Sequence, residues 1–198
     1  GRRTEAGTVT IRAGRKEQSS LNIVLIGFRG TGKSTVGKLL ANRLKRSFID
    51  TDEYIVNTTG KTIKEIFQEE GEKRFRQIEA DTIALLSVMD KKVIAAGGGA
   101  VLKNKNVRNL KSNGVLILLE AAPDIIHKRI SLDEKTIYQR PSLTDKGAFE
   151  EIKYLIKQRQ KLYEEAASHR INTSNKSREE IVEEIIYIME NSKAEGDS

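Results

Sequence analysis

Apolar residues follow two rhythms along this chain, and together they predict a parallel sheet wrapped by helices. Short apolar runs rich in β-branched residues mark strands at Asn22–Ile26, Ser47–Asp50, Lys92–Ala96 and Val115–Leu119, with Arg170–Asn172 as a fifth. Runs that are apolar throughout suit strands buried on both faces. Between them, apolar positions recur at helical spacing. Lys33–Leu44 carries Val36, Leu39, Leu40 and Leu44 on one stripe, and Asp52–Thr59 forms a short helix closed by Gly60. Thr62-x-x-Glu65 is a capping box that opens a helix with Ile63, Ile66 and Phe67 on one face. Glu70–Met89 repeats the pattern with Phe75, Ile78, Ile83 and Leu86. Further helices are expected at Asn106–Lys111, Pro123–Ile130 and Phe149–Ala167. A second capping box, Ser177-x-x-Glu180, starts the last helix, with Ile181, Val182, Ile185, Ile186, Ile188 and Met189 inward. Strands alternating with helices over short connections define an α/β fold with helices on both faces, and ligands bind beyond the carboxyl ends of its strands.

The rest of the chain is polar. Residues 1–20 read as a linker, a tag remnant or the end of an upstream domain, residues 21–190 as the folded domain, and residues 191–198 as a frayed tail. The stretch 131–144 is polar and irregular and is expected to be a mobile lid. With 198 residues the chain suits one domain. Its 35 Lys+Arg against 28 Asp+Glu give +7, a balance that favours anionic ligands. Arg2, Arg3, Arg12, Arg15 and Lys16 against Glu5 and Glu17 put +3 of that in the first twenty residues, with no aromatic residue beside them. A nucleic-acid partner is therefore not expected. Cysteine is absent, and His127 and His169 stand far apart, so disulfides and a zinc site are excluded. No apolar run reaches membrane-span length and no signal peptide is visible, so no membrane partner and a cytoplasmic location are expected.

One motif carries most of the chemistry. Gly27-Phe-Arg-Gly-Thr-Gly-Lys-Ser34 matches G-x-x-x-x-G-K-[ST], between a strand and a helix as a phosphate-binding loop requires. Its glycines let N–H groups of Gly30, Thr31 and Gly32 turn toward phosphate oxygens, aided by the helix N-terminus at Lys33, Ser34 and Thr35. Lys33 is placed to reach the β- and γ-phosphates of ATP, and the Ser34 hydroxyl to ligate Mg²⁺. Asp50-Thr51-Asp52 ends the second strand. In extended chain, residues two apart share a face, so one carboxylate is suited to Mg²⁺ and the other to a substrate hydroxyl. Asp52 serving only as a helix cap or first-turn anion is the structural alternative. Gly97-Gly98-Gly99 after a strand exposes backbone to a ligand, or simply makes a tight turn. Arg76 and Arg159 lie in charged helices, where solvation is the default, whereas Arg140 in the lid can close onto phosphates.

In series, these residues resemble the shikimate kinase family. The likeness runs from about Leu21 to Met189 and includes the loop through Thr35, Phe48–Asp52, Gly60–Phe67, Gly71–Arg76 with Glu79, Gly97–Val101, Arg140-Pro141 and Arg159 with Leu162-Tyr163. It implies a P-loop nucleoside-monophosphate-kinase-like fold, a five-stranded parallel sheet ordered 2-3-1-4-5, with substrate-binding helices at about 52–89. It also implies ATP- and Mg²⁺-dependent phosphorylation of the 3-hydroxyl of shikimate, in the pathway to chorismate and the aromatic amino acids. The resemblance makes Asp52, Lys33 and Arg140 catalytic and places Asp50 beside Ser34 at the metal. Arg76 and Arg159 would take the substrate carboxylate, with Glu79 holding Arg76 and Gly97, Gly98 and Gly99 meeting substrate through backbone. Arg129 and the region near Thr173 would contact adenine, and Ile63, Phe67 and Phe75 would wall the substrate pocket. Lys161 and Ser142 replace a proline and a leucine usual in the family. The isolated domain is expected to be monomeric, and a module of a larger fused protein is a second expectation. A kinase for another metabolite such as gluconate, and a nucleotide-holding module without chemistry, also fit the loop alone.

Overall fold

The computed structural model describes residues 20–133 and 147–191. The expectations for residues 1–19, for the lid between 134 and 146 with Arg140, and for the tail from 192 lie outside the described residues. The strands β1 (Asn22–Ile26), β2 (Ser47–Asp50), β3 (Lys92–Ala95), β4 (Gly114–Glu120) and β5 (His169–Asn172) pair in parallel, in the order β2-β3-β1-β4-β5. That is the order the resemblance implied.

Alternation along the central strand decides which layer each side chain joins. Ile23 and Leu25 of β1 face one way, with Ile117 and Leu119 of β4. They pack on α1 (Lys33–Leu44) through Val36 and Leu40, and on α7 (Arg178–Asn191) through Ile181, Val182 and Ile185. Val24 and Ile26 face the other way, onto Ile83 and Leu86 of α3 (Ile63–Ser87), Leu110 of α4 (Asn104–Ser112) and Tyr163 of α6 (Ala148–Ala166). β1 is buried along its whole length, and each such aliphatic side chain contributes about 1.5–3 kcal/mol on removal from water.

Two smaller clusters shape the rim. Ile55 of α2 (Thr51–Thr59) packs with Ile63, Ile66 and Phe75, and Phe28 of the glycine loop packs with Ile126 of α5 (Pro123–Leu132) and Ile152 of α6. Both capping boxes form. Thr62 Oγ1 accepts from Glu65 N while the Glu65 carboxylate takes the Thr62 N–H at 2.7 Å, and Ser177 and Glu180 repeat the exchange. These backbone N–H donors, with the cap hydroxyls, hold both glutamates below the usual carboxylate range. The two helices expected around residue 70 are both present within α3, parted by a kink at Gly71 (φ 81°, ψ 167°), a conformation outside the helical region. Ser131 and Leu132 extend α5 rather than opening the irregular stretch. Among the described residues, no helix is long and apolar enough to cross a membrane.

Candidate active site

The glycine loop runs from the end of β1 into α1 with Gly27 at φ 139° and Gly32 at φ 98°. An added Cβ at Gly27 would lie 2.3 Å from the Leu119 carbonyl oxygen, so the loop fits only where the side chain is absent. Thr31 is tied inside the loop, its hydroxyl donating to Phe28 O at 2.8 Å and its N–H to the same oxygen at 3.4 Å. Lys33 is folded onto the same loop, its Nζ donating to Gly27 O at 2.8 Å and Phe28 O at 2.9 Å.

Asp50 sits at a junction. Its Oδ2 accepts the Ser34 hydroxyl at 2.6 Å, and its Oδ1 caps α2 by accepting from Asp52 N at 2.9 Å and Glu53 N at 3.3 Å. The cap is therefore Asp50, and Asp52 is an acid of the first turn. The two carboxylates do not share a face through extended geometry, because α2 begins at Thr51; both nevertheless line the larger cavity. Ser34 and Asp50 offer hard oxygen donors beside the phosphate loop, and among the described residues no group of three or more His, Cys, Asp or Glu could hold a metal. That donor set fits Mg²⁺, which keeps several waters and takes one or two protein ligands alongside phosphates.

The triple glycine is held from both sides. Gly97 N donates to Thr51 Oγ1 at 2.9 Å, and Gly98 O accepts from the Tyr163 hydroxyl and, at 3.4 Å, from Arg159 Nη1. A Cβ at Gly97 would stand 2.7 Å from Asp52 Oδ1, and one at Gly99 only 2.1 Å from Arg76 Nη1. The absent side chains make room for the carboxylate and the guanidinium. Arg76 is not the solvated helix arginine that its surroundings in sequence suggest. Its side chain is 16% exposed and donates to buried Glu79 at 2.8 Å. The Arg159 guanidinium lies 5.9 Å from the centre of the Phe28 ring, and the Phe67 and Phe75 rings stand 4.8 Å apart.

The glycine loop, both aspartates, Gly97 and Gly98 line one cavity beyond the strand ends, and a smaller cavity adjoins it. The smaller, about 120 Å³, is lined by Arg76, Arg159, Glu79, Ile63, Phe67 and Phe75. The larger, about 830 Å³, is lined by residues 30–36, Asp50, Asp52, Gly97 and Arg129. Both reach Gly98 and Arg29. Arg129 is stitched to the far end, donating to Thr173 Oγ1 at 3.0 Å, Thr173 O at 2.9 Å and Gly30 O at 3.4 Å. Thr51, Tyr163 and Arg29 stand inside motifs quoted from the sequence but had no role of their own there; the structure bonds Thr51 to Gly97 N and Tyr163 to Gly98 O and sets Arg29 beside both cavities. Only the adjacency of Thr51 to the two aspartates and of Arg29 to the loop glycines could have singled them out.

Comparison with known proteins completes the description. The shikimate kinase family model matches residues 29–190. A shikimate kinase of Pelotomaculum thermopropionicum is 47% identical over 168 residues, covering 85% of this chain and 95% of that protein. One from Thermodesulfovibrio yellowstonii is 45% identical over 165 residues, covering 83% and 92%. The shikimate kinase of Acinetobacter baumannii, solved in complex with shikimate, superposes with a TM-score of 0.82 at 33% identity, covering 89% of this chain and 96% of that one.

Proposed function

We infer the reaction from one premise: the chain belongs to the shikimate kinase family. It moves the terminal phosphoryl group of ATP to the 3-hydroxyl of shikimate, giving shikimate 3-phosphate and ADP, as a step of the shikimate pathway. The observation that carries the assignment of parts is the pair of adjoining cavities, one lined by the phosphate loop and Asp52, the other by Arg76 and Arg159.

In this reading the N–H groups of Gly30, Thr31 and Gly32 and the side chains of Lys33, Ser34 and Thr35 hold the nucleotide phosphates. Lys33 leaves the carbonyls of Gly27 and Phe28 for the β- and γ-phosphates. Arg129, anchored on Thr173, flanks the adenine end, and Arg140 closes over the phosphates from the lid. Ser34 and Asp50 hold Mg²⁺, which when bound neutralises phosphate charge. Arg76 and Arg159 pair with the shikimate carboxylate, a task suited to the guanidinium fork, and Glu79 sets the Arg76 rotamer. Gly97, Gly98 and Gly99 bring backbone to the substrate. Asp52 orients the accepting hydroxyl and takes its proton as the oxygen attacks. Residues 21–190 form the working unit, a monomer in the cell interior where ATP is at hand.

An ADP-release assay with shikimate, gluconate and other polyol acceptors tests the assignment. Turnover with shikimate is expected. Turnover with gluconate and not with shikimate would move the chain to another acceptor class, and ATP binding without transfer to any acceptor would leave a nucleotide-holding module.

A further inference from the structure

Among the described residues, Arg29 is the one charged side chain that borders both cavities. Its partner at the junction, Gly98, has no side chain, and a Cβ there would lie 3.5 Å from Arg29 N and 3.7 Å from Gly27 O. The phosphate loop thus stands within one methyl's reach of the triple-glycine turn where the two cavities meet. Arg29 is only partly exposed and its Nε is buried, unlike a solvated surface arginine. It is also fixed at its base, between Phe28, which is 5% exposed, and Gly30 at φ 79°.

We propose that Arg29 is a resident cation on the transfer path, gripping the phosphoryl group as it crosses and the phosphate of the product afterwards. The proposal rests on the reaction assigned above. In that reaction the bond from the 3-oxygen to phosphorus forms while the bridging bond to ADP breaks. The hydroxyl proton passes to Asp52 and ADP leaves with the electron pair. The transition state spreads negative charge over the equatorial phosphoryl oxygens, and fixed cations stabilise it. An arginine on the loop itself is in position before any lid closes, so it acts at both ends of the reaction. Shikimate and its 3-phosphate differ by a dianion placed at this junction. Arg29 therefore sets the preference of the acceptor cavity for product over substrate.

The test compares wild type with Arg29→Gln, Arg29→Met and Arg29→Lys. Loss of the charge is expected to lower kcat about 100-fold, on the scale of removing one preorganised donor, with little change in KM for shikimate. Calorimetry without nucleotide is expected to show shikimate 3-phosphate binding about tenfold or more weaker, the loss of one charge-assisted contact, and shikimate binding unchanged. Lysine restores part of both. Methionine preserves the aliphatic stem if the glutamine variant does not fold. Equal weakening of substrate and product, or an unaltered kcat, overturns the proposal while wild-type turnover stands. A wild type that phosphorylates no shikimate removes the premise, and this proposal with it.

Discussion

A single methyl group at position 99 tests how the acceptor cavity works. Gly99 has φ −98°, so alanine brings no backbone strain. Its Cβ, however, would stand 2.1 Å from Arg76 Nη1, where ordinary contact begins near 3.4 Å. The guanidinium must therefore retreat by roughly 1.3 Å to reach normal separation. The flexible end of Arg76 can make that move, so Gly99→Ala is expected to unfold at nearly the wild-type temperature. The move takes Arg76 off its 2.8 Å contact with Glu79 and away from the position proposed for the substrate carboxylate. A charge-assisted hydrogen bond contributes about 1.5–3 kcal/mol, so KM for shikimate is expected to rise about 10- to 150-fold at 1.4 kcal/mol per decade. KM for ATP should stay within about twofold, because substitutions beyond contact distance act independently. The assay is ADP release with shikimate titrated at saturating ATP, beside an ATP titration and a thermal melt. An unchanged shikimate KM with intact folding would refute the reasoning, as would an equal rise in both constants.

Three further outcomes follow from the same geometry. Asp52→Asn removes the carboxylate proposed to take the hydroxyl proton, so kcat should fall about 10²-fold or more while nucleotide binding by fluorescence titration holds; unchanged turnover takes Asp52 out of the mechanism. Tyr163→Phe deletes a buried donor to Gly98 O, at a cost of about 1 kcal/mol, and should lower Tm by about 2–4 °C; an unshifted melt denies the tyrosine its place in the turn. Glu65 is held below its ordinary 4.5 in the folded state by the Thr62 N–H and hydroxyl. Its contribution is therefore complete above that value and lost as pH falls through the lower folded one. Urea unfolding of wild type and Glu65→Ala should differ near pH 6 and converge toward pH 3; a gap that persists in acid would contradict this.

The layers of the fold were legible because each strand is a short apolar run and each helix carries its own punctuation. Both capping boxes, Gly60 and Pro123 stand where local chemistry puts them. Boundaries shifted where neighbours outside the local window decided them, as at Ala96, whose N–H still bonds Leu25 O at 3.0 Å beyond the end of β3. The site was legible in its residue types and less so in its arrangement. Arg76 reads as a solvated helix residue because its burial depends on a glutamate one turn away and on a missing side chain at Gly99. The bond from Tyr163 to Gly98 spans 65 residues, and no local pattern announces it. The Asp50–Asp52 pair misled through geometry: strand periodicity does not extend past the point where a carboxylate turns the chain into a helix.

The segment 50–52 leaves little freedom for tinkering. Each successive residue answers to a different part of the machine: Asp50 to the serine of the phosphate loop, Thr51 to the backbone of the glycine turn, and Asp52 to the space left open by the missing side chain of Gly97. Inserting or deleting one residue here would rotate all three out of alignment together. Changes in acceptor preference are therefore expected at Phe67 and Phe75, which line the smaller cavity and can change size without disturbing this segment.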